Sequence, residues 1–501
     1  MVSTFLTCLV GLLSTYIFLG ILLVFTQDSQ EPPPVDCFIP FVTPILRMSR
    51  AGFGYYKIHR RLPVYTLRLP GVRLYVVNSA PLISAVQHHP RTLSFSPILA
   101  LTAANLIGAS KPGVAVLSDD AENGFIKRFH DFNHAKLGPG LGLDSLRARF
   151  WSLASSSLAH GSAYSRPRSV RMYEWVAQEV MINAADALYG GRNPFRDPAT
   201  RATWRIYQSG MTRLVTGFMQ SIVARQSLRA REALVKSFER YYNRQEFSHE
   251  EASPYIKAQY QIFSENGLSD ADIAKTSTAF SIALMGNTIP ATFWLLYHIF
   301  ASDTVLQDCR KELSAVLQKT GRDGGRRSLD LMLVEESCPR LLSTFKESMR
   351  MHSMGTAVTK VMEDQMLDNK YLLKKGAYVL IPAGIQHTDQ SLWGKDANEF
   401  NHLRFVGESM NDKRRSRDPP GYRPFGGGWT LCPGRHIATS MVLGFAAAAI
   451  MSFDMQTRSG QWITPTIKNS NLGVGIGQPD EDLVVELRRR NEEEWAAVYR
   501  A

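Results

Sequence analysis

The sequence predicts a mainly α-helical protein with a small β subdomain, preceded by one N-terminal transmembrane helix. Three observations predict it: a long uncharged run at the start, one clear pair of alternating apolar segments, and helical apolar periodicity over most of the remainder. With 45% hydrophobic residues among 501, the chain can bury a substantial core.

The first element is TFLTCLVGLLSTYIFLGILLVFT, Thr4 to Thr26, which carries no charge over 23 residues. That matches the roughly 20 residues a helix needs to cross the hydrocarbon core. A cleaved signal peptide is the other reading. The absence of a basic leading region, the length of the apolar run and the lack of a small-x-small site after it argue against that reading. Residues 1–27 are therefore expected to be a membrane anchor. The flanking charges Asp28, Glu31 and Asp36, followed later by Arg47, Arg50, Lys57, Arg60 and Arg61, lean towards a cytosolic body.

Next comes EPPPVDCFIPFVTP, with Pro32, Pro33, Pro34, Pro40 and Pro44. Proline fixes φ and lacks an N–H, so residues 28–46 are expected to form a stiff, extended, non-helical hinge, with a single domain over 47–501. In RLPVYTLRLPGVRLYVVNSA, apolar and polar residues alternate on both sides of Pro70-Gly71, which predicts a hairpin of Val64–Leu69 and Val72–Val77.

From there to about residue 350 the segments are mostly helical in period. One stands apart: Ser269-Asp270-Ala271-Asp272 has the form of a capping box and opens IAKTSTAFSIALMGNTIPATFWLLYHIF, apolar on nearly every side. Gly286, Asn287, Thr288 and Pro290 at its centre should kink it, and polar groups in a buried kink point to a ligand. The competing reading, a second membrane span, is opposed by Lys275, Asn287 and the Ser/Thr content.

Composition also excludes. The five cysteines, Cys8, Cys37, Cys309, Cys338 and Cys432, are scattered, with neither CxxC nor zinc-ligand spacing. Net charge is +12, yet no zinc finger, RNA-binding aromatic signature or long basic helix accompanies it, so nucleic acid is not the expected partner.

Three motifs carry chemistry together. Glu347 and Arg350, at i and i+3 in RLLSTFKESMRM, share a helix face. Arg404 lies in FNHLRF, residues 400–405. FGGGWTLCPGRH, residues 425–436, sets Phe425, Gly428, Cys432 and Gly434 before a helical run, so that one thiol lies at a helix N-terminus where backbone N–H groups favour a thiolate.

With Cys432 roughly 70 residues from the end, Glu347-x-x-Arg350 upstream and Arg404 between, the chain resembles the cytochrome P-450 family of haem-thiolate enzymes over nearly its whole length. The resemblance implies that Cys432 is the axial ligand of haem b iron, that Phe425 packs beside it, and that Gly428 and Gly434 shape the loop. Glu347, Arg350 and Arg404 would form the ion-pair network supporting it, and the thiolate would favour O–O cleavage. The long central helix would cross the distal haem face. Many members carry an acid followed by Thr there; here the pair is Asn287-Thr288. Asn in that place is similar to the branch holding the sterol 7-alpha- and 12-alpha-hydroxylases and prostacyclin synthase.

Thr430 stands where many members place a basic residue against a haem propionate, and Lys360 and Arg128 are the expected substitutes. Lys413, Arg414, Arg415 and Arg417 would face a flavoprotein reductase. The implied activity is monooxygenation of a lipophilic small molecule at the endoplasmic reticulum membrane, with a cytosolic catalytic domain and electrons from NADPH through that reductase. The pocket would be lined by Ala283 to Thr288, Ser353 to Val358 and Leu472 to Ile476. An isomerase needing no external electrons, suggested by Asn287, and a non-catalytic haem sensor are the rival readings. For Thr288, the alternative is a hydroxyl bonded back to its own helix.

Overall fold

Residues 2–160, 166–320, 322–323, 326–407, 419, 421–471, 473–490 and 495–500 are described by a computed structural model, which is 57% helical. The chain forms two units, each gathered from separated stretches, so neither needed a linker visible in the sequence.

The first unit comprises residues up to Ile98, Met354–Ala397 and Pro419–Leu431. It begins with α1 (Val2–Thr26), an uncharged helix long and apolar enough to cross a membrane and left unburied by the rest of the chain. The proline stretch that follows is laid along the sheet edge. Thr66 N–H donates to Pro33 O (2.8 Å), Val35 N–H donates to Thr66 O (3.1 Å) and the Thr66 hydroxyl donates to Pro32 O (2.6 Å). Arg68 and Arg73 donate to Thr26 at the end of α1, and the buried Glu31 carboxylate takes Arg73 and the Tyr75 hydroxyl. Residues 43–46, expected to be non-helical, instead begin α2 (Thr43–Ala51). Pro44 occupies its first turn, where a missing N–H costs no hydrogen bond.

Strands β1 (Val64–Leu69), β2 (Val72–Val77), β3 (Leu93–Ser94), β4 (Thr356–Val361) and β5 (Tyr378–Pro382) align in the order β1-β2-β5-β4-β3. The expected hairpin pairs Val64 with Val77 through Leu69 with Val72, and Gly71 at its turn takes φ +68°, a region that favours glycine. Alternate residues feed two apolar layers. Val64, Tyr75, Val77 and Ile381 pack with Ile83 and Val86 on one face; Tyr65, Leu67, Val76 and Leu380 pack with Tyr55 and Tyr56 on the other.

The second unit comprises Leu99–Ser353, Asn398–Asp418 and Cys432–Ala501 and is helical in the main. Its labelled elements are α3 (Phe125–Leu137), α4 (Leu141–His160), α5 (Met172–Tyr189), α6 (Pro198–Ser209), α7 (Met211–Val215), α8 (Asp270–Met285), α9 (Thr288–Phe300), α10 (Pro339–His352) and α11 (Arg435–Ser452). Helix α11 packs on α4, and α9 packs on α5, α10 and α11. Small residues allow this closeness: Ala446–Ala449 are wholly buried, and a Cβ on Gly444 would stand 3.2 Å from the Trp151 ring.

Most of the apolar run 270–300 is buried among these helices, unlike α1. The Ser269 hydroxyl accepts from Asp272 N–H at its start, as the capping box predicts. The expected kink is a break: α8 ends at Met285 and α9 begins at Thr288, with Gly286 and Asn287 between.

Candidate active site

Glu347, Arg350 and Arg404, singled out in the sequence, come together in the second unit. Helix α10 places Glu347 and Arg350 one turn apart with their side chains wholly buried. Arg350 donates from Nε to Glu347 Oε2 (2.7 Å) and from Nη2 to Oε1 (2.8 Å). Arg404 Nε donates to the same Oε1 (2.9 Å), as does the Asn401 amide (3.1 Å). Both guanidinium groups also reach Glu399 O (3.3 Å). One carboxylate thus gathers two cations and ties the 399–404 segment to α10. Removing one partner of so buried a pair costs about 3–5 kcal/mol.

Cys432, in the same unit, precedes Gly434, the N-cap of α11, by two residues. It is a half-buried free thiol whose carbonyl accepts from Arg435 N–H (3.4 Å) and from Arg435 Nη1 (3.2 Å). Gly434 has an ordinary φ of −81°, and a Cβ there would lie 3.9 Å from Cys432 Sγ; a glycine keeps that flank of the sulfur open. Burial raises the thiol above its ordinary pKa, against downward pulls from the Gly434 amide and Arg435. The amides expected to favour a thiolate are therefore outweighed by desolvation. A metal cation reverses that balance, since a coordinating thiol is deprotonated outright.

Among the described residues no group of three or more His, Cys, Asp or Glu side chains is placed to hold a bare ion. A metal at Cys432 must bring its remaining ligands with it, as haem iron does, and the donor set fits that group.

In the first unit, the preceding loop turns on Gly426 (φ +79°) and Gly428 (φ +60°), and the Thr430 hydroxyl donates to Gly427 O (3.0 Å). Phe425, just ahead of these glycines, is half-buried. Thr430, Trp429, Gln87, Phe95, Ala357 and Thr359 line a cavity beside this loop. Lys360 does not join them: strand alternation that turns Ala357 and Thr359 to the cavity turns Lys360 to the other face, where its ammonium lies 5.7 Å from the Tyr378 ring centroid. Arg128, in the second unit, is exposed on α3. Lys413, Arg414, Arg415, Arg417 and Leu472 lie outside the described residues.

Sequence reasoning passed over Arg423. It is half-buried, burial lowers its pKa, and a side chain at Gly427 would collide with its guanidinium. The signal was present: an arginine two residues before Phe425, inside an otherwise apolar and glycine-rich loop.

On the central helix, Ala279, Phe280, Ala283, Leu284 and Asn287 keep accessible surface on a helix whose other middle residues are mostly buried. Within the stretch expected to line the pocket, Ala283 is exposed, Leu284 and Asn287 are half-buried, and Met285, Gly286 and Thr288 are buried. Thr288 is 5% exposed, and its hydroxyl donates to Leu284 O at 2.7 Å, the back-bond named as its alternative reading. Asn287 Oδ1 accepts from the amides of Gly475 (2.7 Å) and Ile476 (3.2 Å).

Beyond Thr288 lies a buried aromatic stack that the sequence did not announce. His298 and His352 meet Nε2 to Nε2 at 2.9 Å; His352 lies on Trp294 at 3.6 Å between ring centroids and His298 on Phe400 at 3.8 Å. Burial pushes His298 down to about 3 and His352 well below its ordinary value, so both are neutral and one donates to the other.

Comparison with known proteins matches residues 207–485 to the family model described as Cytochrome P450. The chain is 31% identical over 476 residues to "Cytochrome P450 monooxygenase nodJ" of Hypoxylon pulicicidum, covering 93% of this chain and 91% of that protein. It is 25% identical over 472 residues to a "Cytochrome P450 monooxygenase" of Gibberella zeae, covering 92% and 88%. A "Cholesterol 7-alpha-monooxygenase" of Cricetulus griseus is 28% identical over 226 residues, 43% of this chain and 44% of that one.

Proposed function

The chain belongs to the cytochrome P450 family and is a monooxygenase of that family; from this premise we propose that it oxidises a lipophilic small molecule in secondary metabolism, held to the endoplasmic reticulum membrane by α1 and supplied with electrons from NADPH by a reductase. The observation that carries this reading is the likeness, over more than nine-tenths of the chain, to two fungal P450 monooxygenases. The uncharged, unburied α1 supports the anchor and a lipophilic substrate drawn from the bilayer.

When bound, haem iron supplies oxygen activation, assisted by a thiolate that favours O–O cleavage. The chain's own residues supply the rest. Cys432 would be its protein ligand. Glu347 holds Arg350 and Arg404 so that the 399–404 segment keeps its shape. Phe425 and the glycines at 426 and 428 form the loop leading to the sulfur. Arg423 is the cation nearest in sequence to that loop, and Lys360 is turned elsewhere. The Thr288 hydroxyl donates its hydrogen bond to Leu284 O and keeps its lone pairs to accept from a water, which suits an alcohol holding water without titrating.

The test is a high-resolution mass comparison of small molecules made with and without the gene. A precursor that accumulates one oxygen lighter than the lost product supports monooxygenation and identifies the substrate. A pair of equal mass would overturn it in favour of an isomerase.

A further inference from the structure

We propose that Asn287 is a positioning residue, whose carboxamide pins the Gly473–Gly477 turn against the break in the central helix and so fixes one wall of the substrate space. The inference deepens the proposed function, since the wall it sets belongs to the space which that function requires.

Asn287 is the N-cap of α9, and its carbonyl accepts from Ala291 N–H (3.1 Å). An asparagine there ordinarily turns its side-chain oxygen onto the first free amides of its own helix. Here it makes no such cap. Oδ1 instead accepts from Gly475 (2.7 Å) and Ile476 (3.2 Å), 188 and 189 residues further on. The oxygen is thereby committed to two backbone donors outside its own helix.

The turn it holds is bonded on other sides as well. Gly473 N–H donates to Asn471 Oδ1 (2.9 Å) and to the Thr212 hydroxyl (3.2 Å), and Asn471 Nδ2 donates to Gln208 O and Ser209 O (3.2 Å each). Gly477 N–H donates to His352 O (2.9 Å), and Trp294 Nε1 donates to Gly477 O (2.7 Å). Helices α6, α7, α9 and α10 thus meet through one short turn, and Asn287 supplies its contact at the helix break. Gly475 suits that contact, because a Cβ there would come 3.3 Å from Asn287 Oδ1.

The contact asks for an acceptor at this position rather than a proton donor. A carboxylate accepting two backbone N–H bonds is stabilised as the anion, so it is a poor proton donor near neutral pH. The position as built selects an acceptor, and either Asn or Asp can fill that role geometrically.

The experiment is hydrogen exchange of the full-length, haem-loaded protein, read on peptides covering 473–477, together with binding of imidazole and of 4-phenylimidazole as small and larger iron ligands. Asn287→Asp, which keeps both acceptors, should exchange as the wild type does. Asn287→Ala and Asn287→Ser should exchange about tenfold faster at Gly475 and Ile476, the factor for about 1.4 kcal/mol of lost hydrogen bonding. They should bind 4-phenylimidazole with an altered Kd and imidazole with an unchanged one. Thr288→Ala, which touches neither amide, should leave exchange at 475–476 alone. The proposal is overturned if Asn287→Ala or Asn287→Ser exchanges and binds both azoles like the wild type, or if Asn287→Asp frees the turn as fully as alanine. Exchange needs no turnover, so loss of the monooxygenase reading would leave this result standing, and failure here would leave that reading standing.

Discussion

Neutralising Glu347 should destabilise this protein far more than neutralising an exposed carboxylate, and the structure gives the scale. Glu347 Oε2 takes one bond from Arg350, and Oε1 takes bonds from Arg350, Arg404 and the Asn401 amide. Glu347 and Arg350 have no exposed side-chain surface, and Arg404 keeps 11%. In Glu347→Gln the two guanidinium groups face each other across a neutral amide that can satisfy only part of their donors. The cost is about 3–5 kcal/mol, that of leaving a buried charge without its partner.

Unfolding entropy near 2.1 cal/mol/K per residue gives about 1 kcal/mol/K for the 501-residue chain, so Tm should fall by about 3–5 °C. Thermal unfolding followed by circular dichroism, with haem absorbance after gel filtration as a second readout, measures this. Arg404→Lys, which keeps a charge but not the fork geometry, should fall between wild type and Glu347→Gln. Asp131→Asn, which breaks the exposed Lys127–Asp131 pair on α3, should not move Tm measurably. A Glu347→Gln protein with wild-type Tm and haem content would refute the reasoning, for it would mean that the cluster is solvated or dispensable.

Two further outcomes follow from the same geometry. His298 and His352 are neutral in the fold and more basic once unfolded, so the unfolded state binds more protons below about pH 6.5 and stability falls as pH drops through that range. Each pH unit should remove up to about 1.4 kcal/mol for His298. His298→Gln should lose stability less steeply than wild type between pH 6.5 and 5.0 in urea titrations, and parallel slopes would count against a neutral pair. Leu12 and Leu13 are exposed in α1, and an arginine at each should cost about 2.5–3.5 kcal/mol at the centre of a span. The double variant should move from the carbonate-resistant membrane fraction to the soluble one, and its continued resistance would argue against the anchor.

Much of this was legible in the sequence because it rests on short spacings. An uncharged run of 23 residues, alternation about Pro70-Gly71, an i, i+3 pair on α10, Gly286 and Asn287 inside an apolar helix, and one cysteine among glycines each describe neighbours that the chain holds together before it folds. Residues 43–46 were misread for a local reason: proline forbids a helix interior but suits a first turn, and the sequence alone did not mark where α2 begins.

The sequence by itself determined the helical class, the hairpin, the interruption of the central helix and the place of one thiol just ahead of a helix, since propensity and periodicity act within a few residues. Only the tertiary structure decided which side chains face one another. Pairing of β4 with β5 set the parity that turns Lys360 away from the cavity. Packing of α9 on α10 brought His298 to His352 across 54 positions. The return of the chain near its end carried Gly475 and Ile476 to Asn287. Such partners are chosen by burial and hydrogen-bond satisfaction over the whole unit, a balance that no local stretch of sequence contains.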